Sequence, residues 1–340
     1  MKVHSIGNEQ YRLPNKLTDF QLRIYVHLID WKWKHLTTEA GQFRGQLYDA
    51  LLPKELAADH HPLYRPIVAR FLEHQKSFPF KAHRFLGHMA SSQAACANLF
   101  LPMLQRPDVA ARILRVAKSD LQEIATDRLD RGYRIEFWDE PDNMLGDHSR
   151  AAGTDADIAI AYYDGSHDLN LWLIEHKLTE IEFTPCGGFK SKGRTERHNC
   201  ESTKDLLADP DLCYYQSARG YRYWEISLSH RNVFPPERLL AHSDCPFKGG
   251  TNQLWRNTLL ALAVEGWQSP DWPYKKVFFS VVYHPGNDAL QPTLGSFQAM
   301  LGEPERFSHF PSSVLVEAAK AIEDPQMAEW IAWYEGLYYF

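Results

Sequence analysis

Gly153-Thr154-Asp155-Ala156-Asp157-Ile158-Ala159-Ile160 and, one short turn later, Leu171-Trp172-Leu173-Ile174-Glu175-His176-Lys177 decide how this chain is read. Both are apolar segments of strand length interrupted by a few charges. Side chains two apart on a strand share a face, so Glu175 and Lys177 project together while His176 points away. Between the segments, Asp164-Gly165-Ser166-His167 has the composition of a tight turn, which predicts an antiparallel hairpin and sets Asp157 beside Glu175 and Lys177. Charges in a buried strand are costly unless they are paired or hold a metal. Two carboxylates and a lysine are the minimum for oxygen coordination of a hard divalent ion beside a cationic group that orients water. Asp155, on the same strand face two residues earlier, is the rival to Asp157. The core run Ile158-Ala159-Ile160 directly after Asp157 favours the latter.

Working outward, Tyr133 to Trp138 reads as a strand before this hairpin, so three strands follow one another. Apolar residues from Thr18 to about Arg131 recur at helical spacing, as in Leu22, Tyr25, Val26 and Ile29, or Ile113, Val116 and Leu121, which predicts a mainly helical first third capped at Thr18 or Asp19. Downstream, Gln253 to Glu265 reads as an amphipathic helix and Lys276 to Tyr283 as a buried strand closed by Pro285-Gly286. Helical stretches near Ser312 to Ile322 and Gln326 to Tyr338 finish the chain. Strands, helix and strand give an α/β or α+β class. The expected organisation is a helical region over 1–90, a core over 91–290 with a cysteine-containing insertion at about 182–250, and C-terminal helices over 291–340.

The pattern Asp157, a gap of 17 residues, then Glu175-His176-Lys177 resembles the PD-(D/E)XK nuclease superfamily, with Ala156 where the name motif has proline. The likeness in arrangement runs from roughly Ser91 to Tyr283. A looser similarity to restriction-endonuclease-like proteins lies in Ser91-Ser92-Gln93, Cys186-Gly187-Gly188 and Gln253-Leu254-Trp255-Arg256-Asn257. The resemblance implies a restriction-endonuclease-like core, a mixed sheet flanked by helices, and phosphodiester hydrolysis with Mg²⁺ or Mn²⁺. Asp157, Glu175 and the backbone carbonyl of His176 would bind the metal, and Lys177 would orient water and stabilise developing charge. Glu136 on the preceding strand and Glu123 on the preceding helix are candidate additional acids, and Gln253 is a candidate positioning residue. By analogy the substrate is DNA and the setting restriction or defence against foreign DNA, with a homodimer or a defence-system protein as partner. Two alternatives stand beside this: a nucleic-acid-binding or assembly component that does not cut, and an RNA-processing nuclease on the same scaffold.

Composition limits the rest. The chain has 340 residues, 44% of them hydrophobic, enough for a packed core. Its apolar runs are too short for a membrane span, and the first ten residues lack a signal-peptide pattern, so a cytoplasmic protein is expected. Because the net charge is -6, any contact with nucleic acid must be local. Lys190, Lys192, Arg194 and Arg197, set among Gly, Ser and Thr, are the candidate contact loop, with a solvated loop as the plain alternative. Tyr214, Tyr215, Tyr221, Tyr223 and Trp224 offer stacking surfaces for bases, with core packing as the commoner use. No phosphate-binding Gly-x-x-x-x-Gly-Lys loop, Gly-x-Ser-x-Gly elbow or His-Glu-x-x-His helix occurs, so ATP use and serine hydrolysis have no support.

Five cysteines are present, and Cys186, Cys200, Cys213 and Cys245 fall in the 182–250 insertion while Cys96 stands apart. Four thiolates can close a zinc site or hold an iron–sulfur cluster, with His198 as a substitute ligand. The spacings of 13, 12 and 31 residues contain no Cys-x-x-Cys pair, so buried free thiols remain the alternative.

Overall fold

The computed structural model describes residues 2–80, 82–83, 85–149, 153–189, 200–267, 269–270 and 272–340. The strands are β1 Lys2–Ile6, β2 Glu9–Leu13, β3 Gly41–Phe43, β4 Gln46–Tyr48, β5 Glu123–Ile124, β6 Tyr133–Phe137, β7 Ala156–Tyr163, β8 Leu169–Lys177, β9 Lys276–Tyr283 and β10 Phe307–Pro311. The α-helices are α1 Asp19–His35, α2 Lys54–Ala58, α3 Val68–Ser77, α4 Ser92–Leu104, α5 Pro107–Leu114, α6 Thr203–Ala208, α7 Tyr214–Arg219, α8 Tyr223–Ser229, α9 Pro236–Leu239, α10 Thr251–Gly266, α11 Gln291–Met300, α12 Ser313–Lys320 and α13 Pro325–Tyr338.

A mixed six-stranded sheet organises the molecule, in the order β10-β9-β8-β7-β5, with β6 also paired to β7. The β7–β8 hairpin is antiparallel, with Ile158 opposite Ile174 and Tyr163 opposite Leu169. Asp164 closes its turn by accepting the Ser166 and Asp168 amides on Oδ1. β9 runs parallel to β8 and β10 parallel to β9, connections that require crossovers through helices. Central parallel strands are covered on both faces, which is why β8 and β9 read as near-continuous apolar runs.

Side-chain alternation divides the core in two. Ile158, Ile160, Trp172 and Ile174 join one cluster with Leu28, Leu99, Ile113, Val316 and Trp330. Ala159, Ala161, Leu171 and Leu173 join the other with Leu254, Leu260, Phe297 and the aromatic residues of the insertion. The first cluster therefore draws on α1, α4, α5, α12 and α13, from both ends of the chain. α4 is apolar on every side and buried throughout, capped by Ser91, whose Oγ accepts the Ala94 amide. This is the restriction-endonuclease-like arrangement of a mixed sheet between helical layers.

The first third holds more than helices. Two hairpins, β1–β2 and β3–β4, flank α1. Helix α5 ends at Leu114, so Val116 and Leu121 lie beyond it and Val116 is exposed. Glu123 was expected on a helix, but it stands on β5, opposite Tyr163 at the sheet edge and facing solvent. A two-residue strand is too short for alternation to reveal, and it is held by edge pairing rather than by its own propensity.

Candidate active site

Glu175 and Lys177 continue the face of β8 that carries Leu171 and Leu173, so both point under α10 rather than toward α4. Lys177 Nζ sits 2.8 Å from Glu175 Oε1, and both side chains are buried. The other contacts of Glu175 come from α10: Gln253 Nε2 donates to Oε1 at 2.7 Å and Asn257 Nδ2 to Oε2 at 3.3 Å. Gln253 and Asn257 are four residues apart, hence on one helix face. Asn257 also donates to the Asp155 carbonyl.

Asp157 Oδ2 accepts the His176 amide at 2.6 Å, which ties the start of β7 to the end of β8. Its carboxyl is pushed well above the ordinary range by burial, by Glu175 and by Glu136, against the pull of Lys177 and the His176 amide. Glu136 lies on β6 at an unpaired position, between the Ile135–Ile158 and Phe137–Ala156 pairs, which keep the same register. Its φ is +49°, a left-handed conformation that a non-glycine residue holds only under constraint. The constraint is visible in Gln93, at the start of α4, which donates to Glu136 Oε1 at 2.7 Å. This local left-handed turn of the backbone sets Glu136 beside Asp155. Burial, then the Asp155 charge, moves Glu136 up to about 8, and burial and Glu175 move Asp155 up to about 6.

Lys177 is held the other way. Burial alone would lower its pKa, but Glu175, Glu180 and Asp157 outweigh it and the ammonium is stabilised. The structure therefore gathers Asp155, Asp157, Glu136, Glu175 and Lys177 at one end of the sheet. Glu123 is not among them. Lys190, Lys192, Arg194, Arg197 and His198 lie outside the described residues.

Asp155, Asp157, Glu136 and Glu180 line one side of a cleft of about 880 Å³. Its opposite wall comes from the first hundred residues: Arg12 of β2, Phe43 of β3, Tyr48 of β4, and the segment from His83 to Gln93. Glu175 and Lys177 do not line it directly. Arg12 is engaged bidentately by Asp49, so it adds little free positive charge to an acidic cavity.

The donor set is hard oxygen, crowded and buried, which suits Mg²⁺ or Mn²⁺ better than a soft metal. Among the described residues no three His, Cys, Asp or Glu side chains already stand in coordinating geometry. The carboxylates are instead turned to amide and ammonium donors. The His176 carbonyl, the expected backbone ligand, accepts the Ser92 hydroxyl at 2.5 Å, which leaves one of its two lone pairs.

Ser92, Gln93, Glu136 and Asn257 act together here, yet only Gln93 and Ser92 fell in a stretch with a sequence likeness to nucleases, and Asn257 lay in another. No helical or strand period distinguishes such groups before the tertiary contacts exist. A further buried network fixes the approach to β7: Asp147 accepts from Thr154 and from the Tyr223 hydroxyl, and Arg256 Nη1 donates to Thr154 at 3.3 Å. Tyr223 and Trp224 are buried in the second core, packed on Trp255 and Phe247, and Tyr214 is buried beside Tyr215.

No helix of the described residues is long and apolar enough to cross a membrane. No curated protein and no solved structure matches the chain. A family model described as restriction endonuclease associating with ARP matches residues 26–339, nearly the whole length, and the chain belongs to that family.

Proposed function

We propose that this protein is a metal-dependent endonuclease that hydrolyses phosphodiester bonds in DNA, working in the cytoplasm in restriction or defence against foreign DNA. The observation that carries the reading is the convergence of Asp157, Asp155 and Glu136, which line one cleft, with the buried Glu175–Lys177 pair behind them. Burial raises the carboxyl groups of Asp157, Asp155 and Glu136, and the neighbouring carboxylates add to the shift beyond what Lys177, Arg256 and Gln93 offset. A divalent cation supplies that compensation when bound, and it also polarises a phosphoryl oxygen and lowers the pKa of water.

Asp157 and Glu175, with the free lone pair of the His176 carbonyl, would hold the ion, and Asp155 and Glu136 would add oxygen donors once the side chains turn toward it. Gln253 and Asn257 orient the Glu175 carboxylate, leaving its remaining lone pairs for coordination. Lys177 keeps its proton in this surrounding, so it acts as a fixed positive charge that orients water and stabilises the developing phosphorane charge, not as a general base. An acidic cleft repels a polyanion, so a phosphate backbone enters it only with cations present.

The family's description pairs a restriction endonuclease with ARP, and association with such a protein is the partner reading we favour. Homodimerisation would serve double-strand cutting as well.

The test is cleavage of supercoiled plasmid, linear duplex, single-stranded DNA and RNA in Mg²⁺, Mn²⁺ or EDTA by wild type and by Lys177→Met. Metal-dependent cutting of DNA that the variant loses is the expected result. Preference for RNA would reassign the substrate. Failure of the folded wild type to cut anything, with the ARP partner supplied, would sink the nuclease reading in favour of a binding component.

A further inference from the structure

We propose that Cys186, Cys200, Cys213 and Cys245 form a four-thiolate zinc site that fastens the segment between β8 and α10 to itself and to the nuclease core.

The four residues come from distant points in the segment, and a closed circuit of contacts brings them together. The Cys186 amide donates to the Lys248 carbonyl at 3.1 Å, and the Lys248 amide donates back to the Cys245 carbonyl at 3.2 Å. The Cys245 amide donates to the Cys200 carbonyl at 3.0 Å. The Cys200 thiol reaches the Leu212 carbonyl at 3.9 Å, immediately before Cys213. Gly188 closes the ring, because a Cβ placed there would meet Tyr214 at 3.2 Å and Cys186 Sγ at 3.6 Å. A Cβ at Gly187 would likewise meet the Tyr215 hydroxyl at 2.8 Å, so the tyrosine would have to shift. All four thiols are buried and none is in a disulfide.

The second observation is the direction of the backbone amides. Phe189 N–H points at Cys186 Sγ at 3.4 Å, the Tyr215 and Gln216 amides at Cys213, the Tyr214 amide at Cys200 and the Phe247 amide at Cys245. Each of Cys186, Cys213 and Cys245 thus accepts an amide from two or three residues further on. A neutral thiol is a weak acceptor, so amides aimed at four sulfurs suit thiolates. Burial nonetheless raises Cys186 and Cys245, and the Cys213 contact and burial raise Cys200, so a bound cation would supply the charge that the amides alone do not. Arg256 is close enough to act on Cys186, which offsets part of the negative charge of four thiolates on one divalent ion.

Stability supplies the reason. Helices α6 to α9 are four to seven residues long, too short to persist unaided. A tetrahedral zinc ion would cross-link the loops between them. No three of these side chains already stand in coordinating geometry among the described residues, so binding requires rotation about χ1, with each thiol releasing its proton to solvent.

The decisive measurement is zinc and iron content of full-length wild-type protein purified without chelator, alongside thiol counting by Ellman's reagent before and after a strong chelator. The proposal expects about one zinc per chain, four thiols that react only after chelation, and zinc retained in Cys96→Ala but lost in Cys213→Ser. Zinc-free protein with four reactive thiols, or a disulfide found by mass spectrometry, would overturn it. Iron with broad visible absorption would overturn it in favour of a cluster. Because wild-type metal content is the primary readout, misfolding of a cysteine variant leaves the test intact, and the result does not depend on cleavage activity.

Discussion

Lys177 Nζ and Glu175 Oε1 lie 2.8 Å apart on the same face of β8, both side chains nearly sealed from solvent. Removing one partner from a buried pair leaves the other charge uncompensated, a cost of about 3–5 kcal/mol. Lys177→Met is expected to abolish cutting and to lower the melting temperature in EDTA. The double variant Glu175→Gln/Lys177→Met is expected to regain most of the stability while staying inactive. Thermal melts run beside plasmid cleavage separate the two effects, and a double variant no more stable than Lys177→Met would refute the pairing argument.

Gln253 and Asn257 grip opposite oxygens of Glu175 from α10. Replacing either with alanine should reduce cleavage by roughly 10–100-fold, the usual effect of losing a partner of a metal-binding side chain. The concentration of Mg²⁺ needed for half-maximal rate should rise, which a simple loss of folded protein would not produce. A metal titration at fixed protein concentration reads this.

Glu136 is buried against Asp155 in a strained backbone and its proton affinity is raised. Glu136→Gln keeps the Gln93 contact geometry while removing one charge from the cluster. In EDTA near neutral pH the variant should melt roughly 1–2 °C above wild type, about 1 kcal/mol for a chain of 340 residues. In Mg²⁺ the advantage should shrink or reverse, since the cation compensates the same charge. Equal melting temperatures of the two proteins in EDTA would remove Glu136 from the acidic cluster.

His74 couples the sheet to α3 in a way that predicts acid sensitivity. Its Nδ1 meets Asp130 Oδ2 at 2.6 Å, while Nε2 accepts the Ile135 amide at 3.0 Å. The ring must therefore carry its hydrogen on Nδ1, and a second proton on Nε2 would face an N–H. Burial, the largest cause, lowers its pKa from 6.5 despite the carboxylate. The unfolded chain then takes up the proton first, so this stabilisation is lost as pH falls below about 6.5. Asp130 adds in the same direction. Burial alone would raise its pKa, but Arg70 and His74 outweigh it, and its contribution disappears as pH falls through the lowered value. Melting temperature should decline from pH 7 to 5, and His74→Gln, at a cost of about 1–3 kcal/mol, should flatten that decline.

The central sheet was legible because its strands obey simple rules. β7 and β8 are apolar runs separated by a turn whose Asp164 side chain binds two amides, and β9 has the bounds that its β-branched and aromatic run implies. Glu175 and Lys177 stood out because charges in such a run demand partners. Glu136 and Asp155 did not show their relationship, since it depends on a left-handed backbone turn at Glu136 that no period announces. The β1–β2 and β3–β4 hairpins were hidden for another reason. They are short strands, and the one apolar alternation among them, Tyr11 and Leu13 of β2 packed on Ile29 and Ala50, is too brief to announce a hairpin. The cleft wall they supply, through Arg12, Phe43 and Tyr48, was invisible with them.

Helix α4 carries a practical consequence. Its first turn holds the candidate site through Ser92 and Gln93, and Asn98 in its middle donates to the Tyr338 hydroxyl while its carbonyl accepts the Trp330 indole. The last helix is thereby bolted to the same rod as the strand ends that carry the candidate site. A minimal nuclease cut from the middle of the chain would leave that rod unsupported, and an affinity tag is safer after the exposed Phe340 than in place of the residues before it.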